Sequence, residues 1–367
     1  MTYNEKVATF RFVEITTNER YIMDNKYPYT INIQGDGKVV ITDTKTDTSV
    51  TYDDKGQIEI INEKPTLEKT VKKQDDTYGK VTSKNIADTV SYRLFASIPA
   101  NIDNMTTYKI TDTLPTGVKL AGNIVVKGLL LEDGSEVVIP TDEYAVNNLE
   151  FTFDTQKISK YTNIIITYDA TISENVVIGE AGNESAATLE YTNNVGLDGT
   201  EISKAQVTDT AKFVTGGLRI KKTNAQGEVL KDAKFKIATT KENAKAGTFI
   251  KDTTGNDIEL VTGEDGIVTI DGLAYEDNED ARTYYLVETQ APKYMEDGEE
   301  KSYKLLSSPE AVIISGTSHQ DGEEVEIINV KPISLPLTGG IGTILFTIVG
   351  ISLILIAKNI NKDKVKN

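Results

Sequence analysis

The chain contains no cysteine, no tryptophan and only one histidine, His319, in 367 residues. Without thiols there is no disulfide to close a loop and no thiolate to serve as nucleophile or soft-metal ligand. A single imidazole leaves no histidine cluster for transition-metal or acid–base work. Cations are in the minority: 39 Lys and Arg stand against 56 Asp and Glu, a net charge of −17. Such a surface opposes nucleic acid and anionic membrane as partners. Gly-rich phosphate loops, zinc spacings and nucleophile elbows are absent, so neither an enzyme nor a cofactor is expected. Asp277-Asn278-Glu279-Asp280 and Asp321-Gly322-Glu323-Glu324 lack the alternating ligands of a calcium loop and read as solvated loop tips.

What is present is strand-like. Hydrophobic residues make up 38% and charged residues 26%, enough apolar material for cores, and the length suits two or three domains. Thr, Val, Ile and Tyr alternate with polar residues between turn signals at Gly35-Asp36-Gly37, Asp54-Lys55-Gly56, Asp133-Gly134 and Asp265-Gly266. The pattern predicts an all-β chain of tandem immunoglobulin-like β-sandwiches.

Residues 216–331 form the clearest unit. On strands, Leu218, Ile220 and Lys222 share a face, as do Tyr284, Leu286 and Glu288, and again Val325, Ile327 and Asn329. An amine, a carboxyl and a carboxamide are each aimed inward, where burying any one alone is costly. Burial lowers an amine pKa and raises a carboxyl pKa, so both tend to neutrality. A neutral amine is a nucleophile, and a protonated carboxyl can polarise an amide and move its proton. The product would be a Lys–Asn amide with loss of ammonia; the competing reading is a buried salt bridge of Lys222 with Glu288. The strand ending Ile220-Lys221-Lys222 before Gly227, the segment Tyr284 to Pro292 and the closing Ile328-Asn329 resemble the Cna protein B-type domain of Gram-positive adhesins and pilins. The resemblance implies an intramolecular isopeptide bond, with Lys222 as amine, Asn329 as acceptor and Glu288 as catalytic acid. Lys293 departs from the family, which often has glycine there.

Residues 65–215 read as a second sandwich. Leu67, Lys69 and Val71 share a face, and so do Ile110, Asp112 and Leu114. Asn183, Ala187, Leu189 and Tyr191 share another, with Asn193 at the same parity. Leu67-Glu68-Lys69-Thr70-Val71, Ile110-Thr111-Asp112-Thr113-Leu114-Pro115-Thr116-Gly117 and the segment Gly182 to Tyr191 resemble the fimbrial isopeptide-forming domain of Gram-positive pilins, related to the A-type Cna domain. This implies a Lys69–Asn183 bond promoted by Asp112, with Asn193 the alternative acceptor. Without a bond, Asp112 would simply cap its own turn before Pro115.

Residues 1–64 look like the back half of another B-type domain. Phe10, Phe12 and Glu14 parallel Tyr284, Leu286 and Glu288, and Ile58 to Asn62 parallels Val325 to Asn329. No opening strand supplies a lysine, and Lys6 lies too near Glu14 to do so. Glu14 and Asn62 are therefore an orphan half-site, and the expectation is a chain that lacks its true N-terminus.

At the other end, a polar linker with Pro332 and Pro336 leads into Leu335-Pro336-Leu337-Thr338-Gly339-Gly340. The uncharged run Ile341 to Ala357 follows, then Lys358, Lys362, Lys364 and Lys366. The run just reaches the roughly 17 residues a membrane-spanning helix needs, and the lysines would stay cytoplasmic. Motif, span and basic tail resemble the cell-wall sorting signal of Gram-positive surface proteins. The resemblance implies cleavage by a sortase between Thr338 and Gly339, with Thr338 joined to peptidoglycan or to a pilin subunit. No secretory signal opens the sequence at Met1, which again points to a segment upstream. The expectation is a wall-anchored pilin subunit or adhesin stalk at the extracellular surface, with a host matrix or cell-surface ligand as a possible further partner. The alternatives are the stalk of a wall-attached enzyme with its catalytic domain upstream, or a backbone pilin. The junction Ile61-Asn62-Glu63-Lys64-Pro65-Thr66 lacks the polymerisation-lysine segment a backbone pilin would need.

Overall fold

The structure, a computed structural model, describes residues 64–332 except 174, 196–199, 253 and 278–279, and before them the strand backbones 8–12, 23–24, 29–33, 39–43 and 48–52. Glu14, Asn62, the Leu335–Gly340 motif and the 341–357 run lie outside the described residues. Among those described, no helix is long and apolar enough to cross a membrane, and the one α-helix is Lys241–Ala246.

Eleven strands position the sites: β1 (Leu67–Lys72), β2 (Thr89–Ser97), β3 (Tyr108–Thr113), β4 (Tyr161–Ile172), β5 (Gly179–Val195), β6 (Glu201–Asn224), β7 (Lys234–Ala238), β8 (Ile267–Leu273), β9 (Arg282–Gln290), β10 (Glu310–Ile314) and β11 (Val325–Asn329). One sheet carries β4, β2 and β1 as neighbours; facing it, β3 pairs β5 and β5 pairs β6, all antiparallel. Strict alternation drives this packing. In β2 every second residue from Val90 to Ala96 is buried, a half-buried strand with one face on the core. The core between the two sheets collects side chains from Leu67 to Phe213.

A second core, from Leu218 to Ile327, is separate. Here the C-terminal half of β6 pairs antiparallel with β8 and parallel with β11. The opposing sheet orders β7, β9 and β10. Thus β6, at 24 residues, belongs to both sandwiches and runs unbroken from one to the other. In the N-terminal segment, the strand Ala8–Phe12 pairs antiparallel with Tyr29–Ile33 in a four-stranded sheet.

The sandwiches also meet side on. Ile86 N–H donates to Gly272 O at 2.9 Å. Ala274 N–H donates to Asn85 Oδ1 at 2.9 Å, and Tyr275 N–H to Ser83 Oγ at 2.8 Å. Asp277 accepts from Gln74 N–H at 2.6 Å, Ser83 N–H at 2.8 Å and Thr82 Oγ1 at 3.0 Å. The expectation of a solvated loop tip fails here, because three donors of the neighbouring sandwich satisfy this carboxylate. Asp321 and Glu324 are likewise engaged, both with the Arg219 guanidinium at 2.8 Å.

Candidate functional site

Lys222 is on β6 and Asn329 on the adjacent parallel strand β11, while Glu288 comes from β9 in the facing sheet. The pairing sets Lys222 beside Ile327, so Asn329 lies one diagonal step along, within reach of a long side chain. All three sit in the core, with Lys222 0%, Asn329 1% and Glu288 6% exposed. Leu218, Ile220, Phe235, Leu286 and Ile327 belong to the same core.

Among the described residues the Lys222 amine has no carboxylate within 4.0 Å; it donates to Ile327 O at 2.8 Å and Thr223 O at 3.2 Å. Burial lowers it to about 8, against the opposing charges of Glu288 and Glu326. Burial pushes the Glu288 carboxyl up, while Leu306 N–H, the Asn329 amide and Lys222 pull the other way. Glu288 accepts from Asn329 Nδ2 at 2.8 Å and from Leu306 N–H at 2.9 Å. Asn329 Oδ1 is buried without a hydrogen-bond partner. An orphaned buried carbonyl is unfavourable, and a protonated Glu288 facing it after a half-turn of the amide would relieve it. The arrangement therefore sets an amine whose charge burial disfavours, a carboxyl whose protonation burial favours, and an amide in one core.

In the first core, Lys69 is fully buried and its amine is ion-paired with Asp112 across the sandwich. Tyr168 OH, on β4, also donates to Asp112 Oδ2 and accepts from Lys69 Nζ at 3.2 Å. The Lys69 ammonium sits 4.3 Å from the centre of the Tyr92 ring. Asp112 Oδ1 accepts from Ser185 Oγ at 3.2 Å. Burial lowers the Lys69 amine against the pull of Asp112 and raises the Tyr168 phenol. Asp112 is thus the centre of a buried network and does not merely cap its turn.

Asn183, expected beside this pair, is buried but turned to the loop before it. Its Nδ2 donates to Val177 O at 2.9 Å, and Val177 N–H donates to its Oδ1 at 2.8 Å. Along β5, Thr113 at the end of β3 pairs with Ala186, so Asn183 lies beyond the end of β3. Asn193 lies on the far side of that pairing and accepts from Ser203 Oγ at 2.7 Å. Sequence reasoning missed Ser185 and Tyr168. Both had inward parity, Ser185 with Asn183 and Tyr168 with Ile166, and parity was the signal that could have found them.

Residues 216–321 match the SpaA family, described as a prealbumin-like fold domain. That stretch contains Lys222 and Glu288. Over 336 residues the chain is 26% identical to a fimbrial subunit type 2 of Actinomyces naeslundii. The match covers 81% of this chain and 59% of that subunit, so the chain spans about three-fifths of the curated relative's length. Among solved structures, BcpA, the major pilin subunit of Bacillus cereus, has a TM-score of 0.57 at 21% identity, covering 89% of this chain and 86% of that one. The 35 kDa C-terminal fragment of a major pilin of Streptococcus agalactiae has a TM-score of 0.56 at 21% identity, covering 73% of this chain and all of the fragment. The all-β sandwich fold is that of pilin domains.

Proposed function

We propose that the chain is a pilus subunit in which the sandwich of residues 216–331, called the third because it follows the units 1–64 and 65–215, is closed by an autocatalytic Lys222–Asn329 isopeptide bond, and which a sortase anchors through Thr338. The observation that carries the bond is the Asn329 amide held at 2.8 Å on a buried carboxyl, beside a buried amine that lacks a counter-ion. The neutral Lys222 Nζ attacks Asn329 Cγ. With the amide turned so that its oxygen faces the acid, Glu288 lends its proton to that oxygen, takes it back as the tetrahedral intermediate collapses and delivers it to the leaving nitrogen. The C–N bond to Nδ2 breaks, ammonia departs, and the lysine nitrogen's surplus proton returns to Glu288. Each chain reacts once, so this is maturation and not turnover. The sorting motif, apolar run and basic tail support anchoring in the wall, to peptidoglycan or to another subunit. The fimbrial relative favours a subunit partner.

Glu288→Gln tests the chemistry, because it keeps side-chain shape and removes the acid. The wild-type chain is expected one ammonia lighter at Lys222 and Asn329 than its sequence requires, and the variant at full sequence mass there. A variant that still loses this ammonia contradicts the role of Glu288.

A further inference from the structure

The polar cluster of the first core holds an amine and an acid but no amide. At the Lys222 site, the group that hydrogen-bonds the acid is the acceptor amide of Asn329. At the Lys69 site the β5 side chain in that place is Ser185, whose single O–H is shared between Asp112 Oδ1 at 3.2 Å and Thr113 O at 2.9 Å. We propose that Ser185 occupies the acceptor position of this sandwich, so that Lys69 and Asp112 persist as a buried ion pair with no cross-link. The inference rests on the isopeptide reading of the Lys222 site.

The chemistry follows from the groups present. A serine side chain carries no carbonyl carbon, so the Lys69 amine has nothing to acylate it there. Asn183 has the right parity but lies one alternation further along β5. Both ends of its amide are occupied by the Val177 backbone. The pairing of β5 with β6 is also irregular between Gly179 and Asn183, which fixes that end of the strand separately from the level of Asp112. Asp112 itself could be amidated only by expelling water, which needs another acid to protonate the departing oxygen. The groups around the pair are Tyr168, Tyr92 and Ser185; none is a carboxyl, and burial raises both phenols, making them poorer proton donors than a free tyrosine. The Asp209 carboxylate is engaged by the Lys69 backbone N–H and the Lys80 amine. The cluster is instead complete as an ion pair. Asp112 is satisfied by Lys69, Tyr168 and Ser185, and the ammonium also lies over the Tyr92 face. The two sandwiches would then differ under load, the third locked and the second extensible.

Peptide mapping of the full chain by mass spectrometry tests this. In wild type, Lys69 is expected in an unmodified peptide. In Ser185→Asn, Lys69 is expected joined to residue 185 with loss of one further ammonia, and adding Asp112→Ala should restore the free lysine. Wild-type Lys69 joined to Asn183, Asn193 or Asp112 overturns the inference, and that map stands even where Ser185→Asn fails to fold. A folded Ser185→Asn chain with Lys69 still free overturns the assignment of the position. Lys222 found free in the same map would break the reading of the third sandwich alone, leaving the Lys69 result separately legible.

Discussion

Lys222 is a fully buried amine in the core of the third sandwich. A buried ammonium satisfied by two carbonyls and no counter-ion is held at a cost, and reaction removes the charge for good. The sign of its pH dependence follows. Its folded value of about 8 lies below the unfolded 10.5. Below pH 8 the amine is protonated in both states and the penalty is full. As pH rises from about 8 to 10.5 the unfolded state binds more protons, so stability rises, by roughly 3 kcal/mol in total. Asn329→Ala keeps the lysine free and should become more stable across that window in melting experiments. The wild-type chain, with an amide in place of the amine, should lack this rise. A falling or flat curve for Asn329→Ala would count against a lysine held partly neutral by burial. At this scale much of the site was legible: alternation put Lys222, Glu288, Asn329, Lys69 and Asp112 on core faces, and all five are buried. Asn183 shows the limit. Alternation selects the face of a strand and says nothing of the level along it. That level depends on where β3 ends and on the irregular pairing near Gly179, both set by long-range register.

At the scale of elements, β6 and the segment from Gly272 to Asp277 make the junction. Gly272 has φ of +84°, and a Cβ there would come within 2.2 Å of the Ile86 side chain, so glycine lets the sandwiches approach. Asp277 then gathers three donors from the neighbouring sandwich. Removing it leaves the donors of the buried Thr82 and Ser83 unmatched, at about 1–3 kcal/mol. Asp277→Ala is expected to speed amide exchange at Gln74 and Ser83 while leaving the Leu286 and Leu94 amides unchanged. Unaltered exchange at Gln74 and Ser83 would mean the junction does not depend on this carboxylate. The strands themselves were readable from alternation and turn residues, but the junction was not. The donors to Asp277, two backbone amides and the Thr82 hydroxyl, lie about 200 positions away in sequence, which no local pattern announces.

For the whole molecule, tension entering through β6 and leaving through β11 would cross the Lys222–Asn329 bond directly, because these strands are adjacent and parallel. Most of the third sandwich would then be shielded from extension. The proposed bond would close a loop of roughly 100 residues, and by analogy with a disulfide it would contribute several kcal/mol through the unfolded state. Such an amide would also survive reducing conditions that open disulfides, in a chain without cysteine. Such a tether is useful only if its end is fixed. Thr338→Ala, expressed with its natural secretion route in a sortase-bearing host, should leave the protein in the membrane fraction and deplete it from the wall. Undiminished wall attachment would remove the sorting motif from the account.

Fragmentation mass spectrometry of the digested wild-type chain reads the Lys222–Asn329 bond itself. One branched peptide is expected, joining the Lys222 segment to the Asn329 segment, its mass lower by one ammonia than the sum of the two. Two separate linear peptides, with Lys222 and Asn329 unmodified in the folded protein, would contradict the bond.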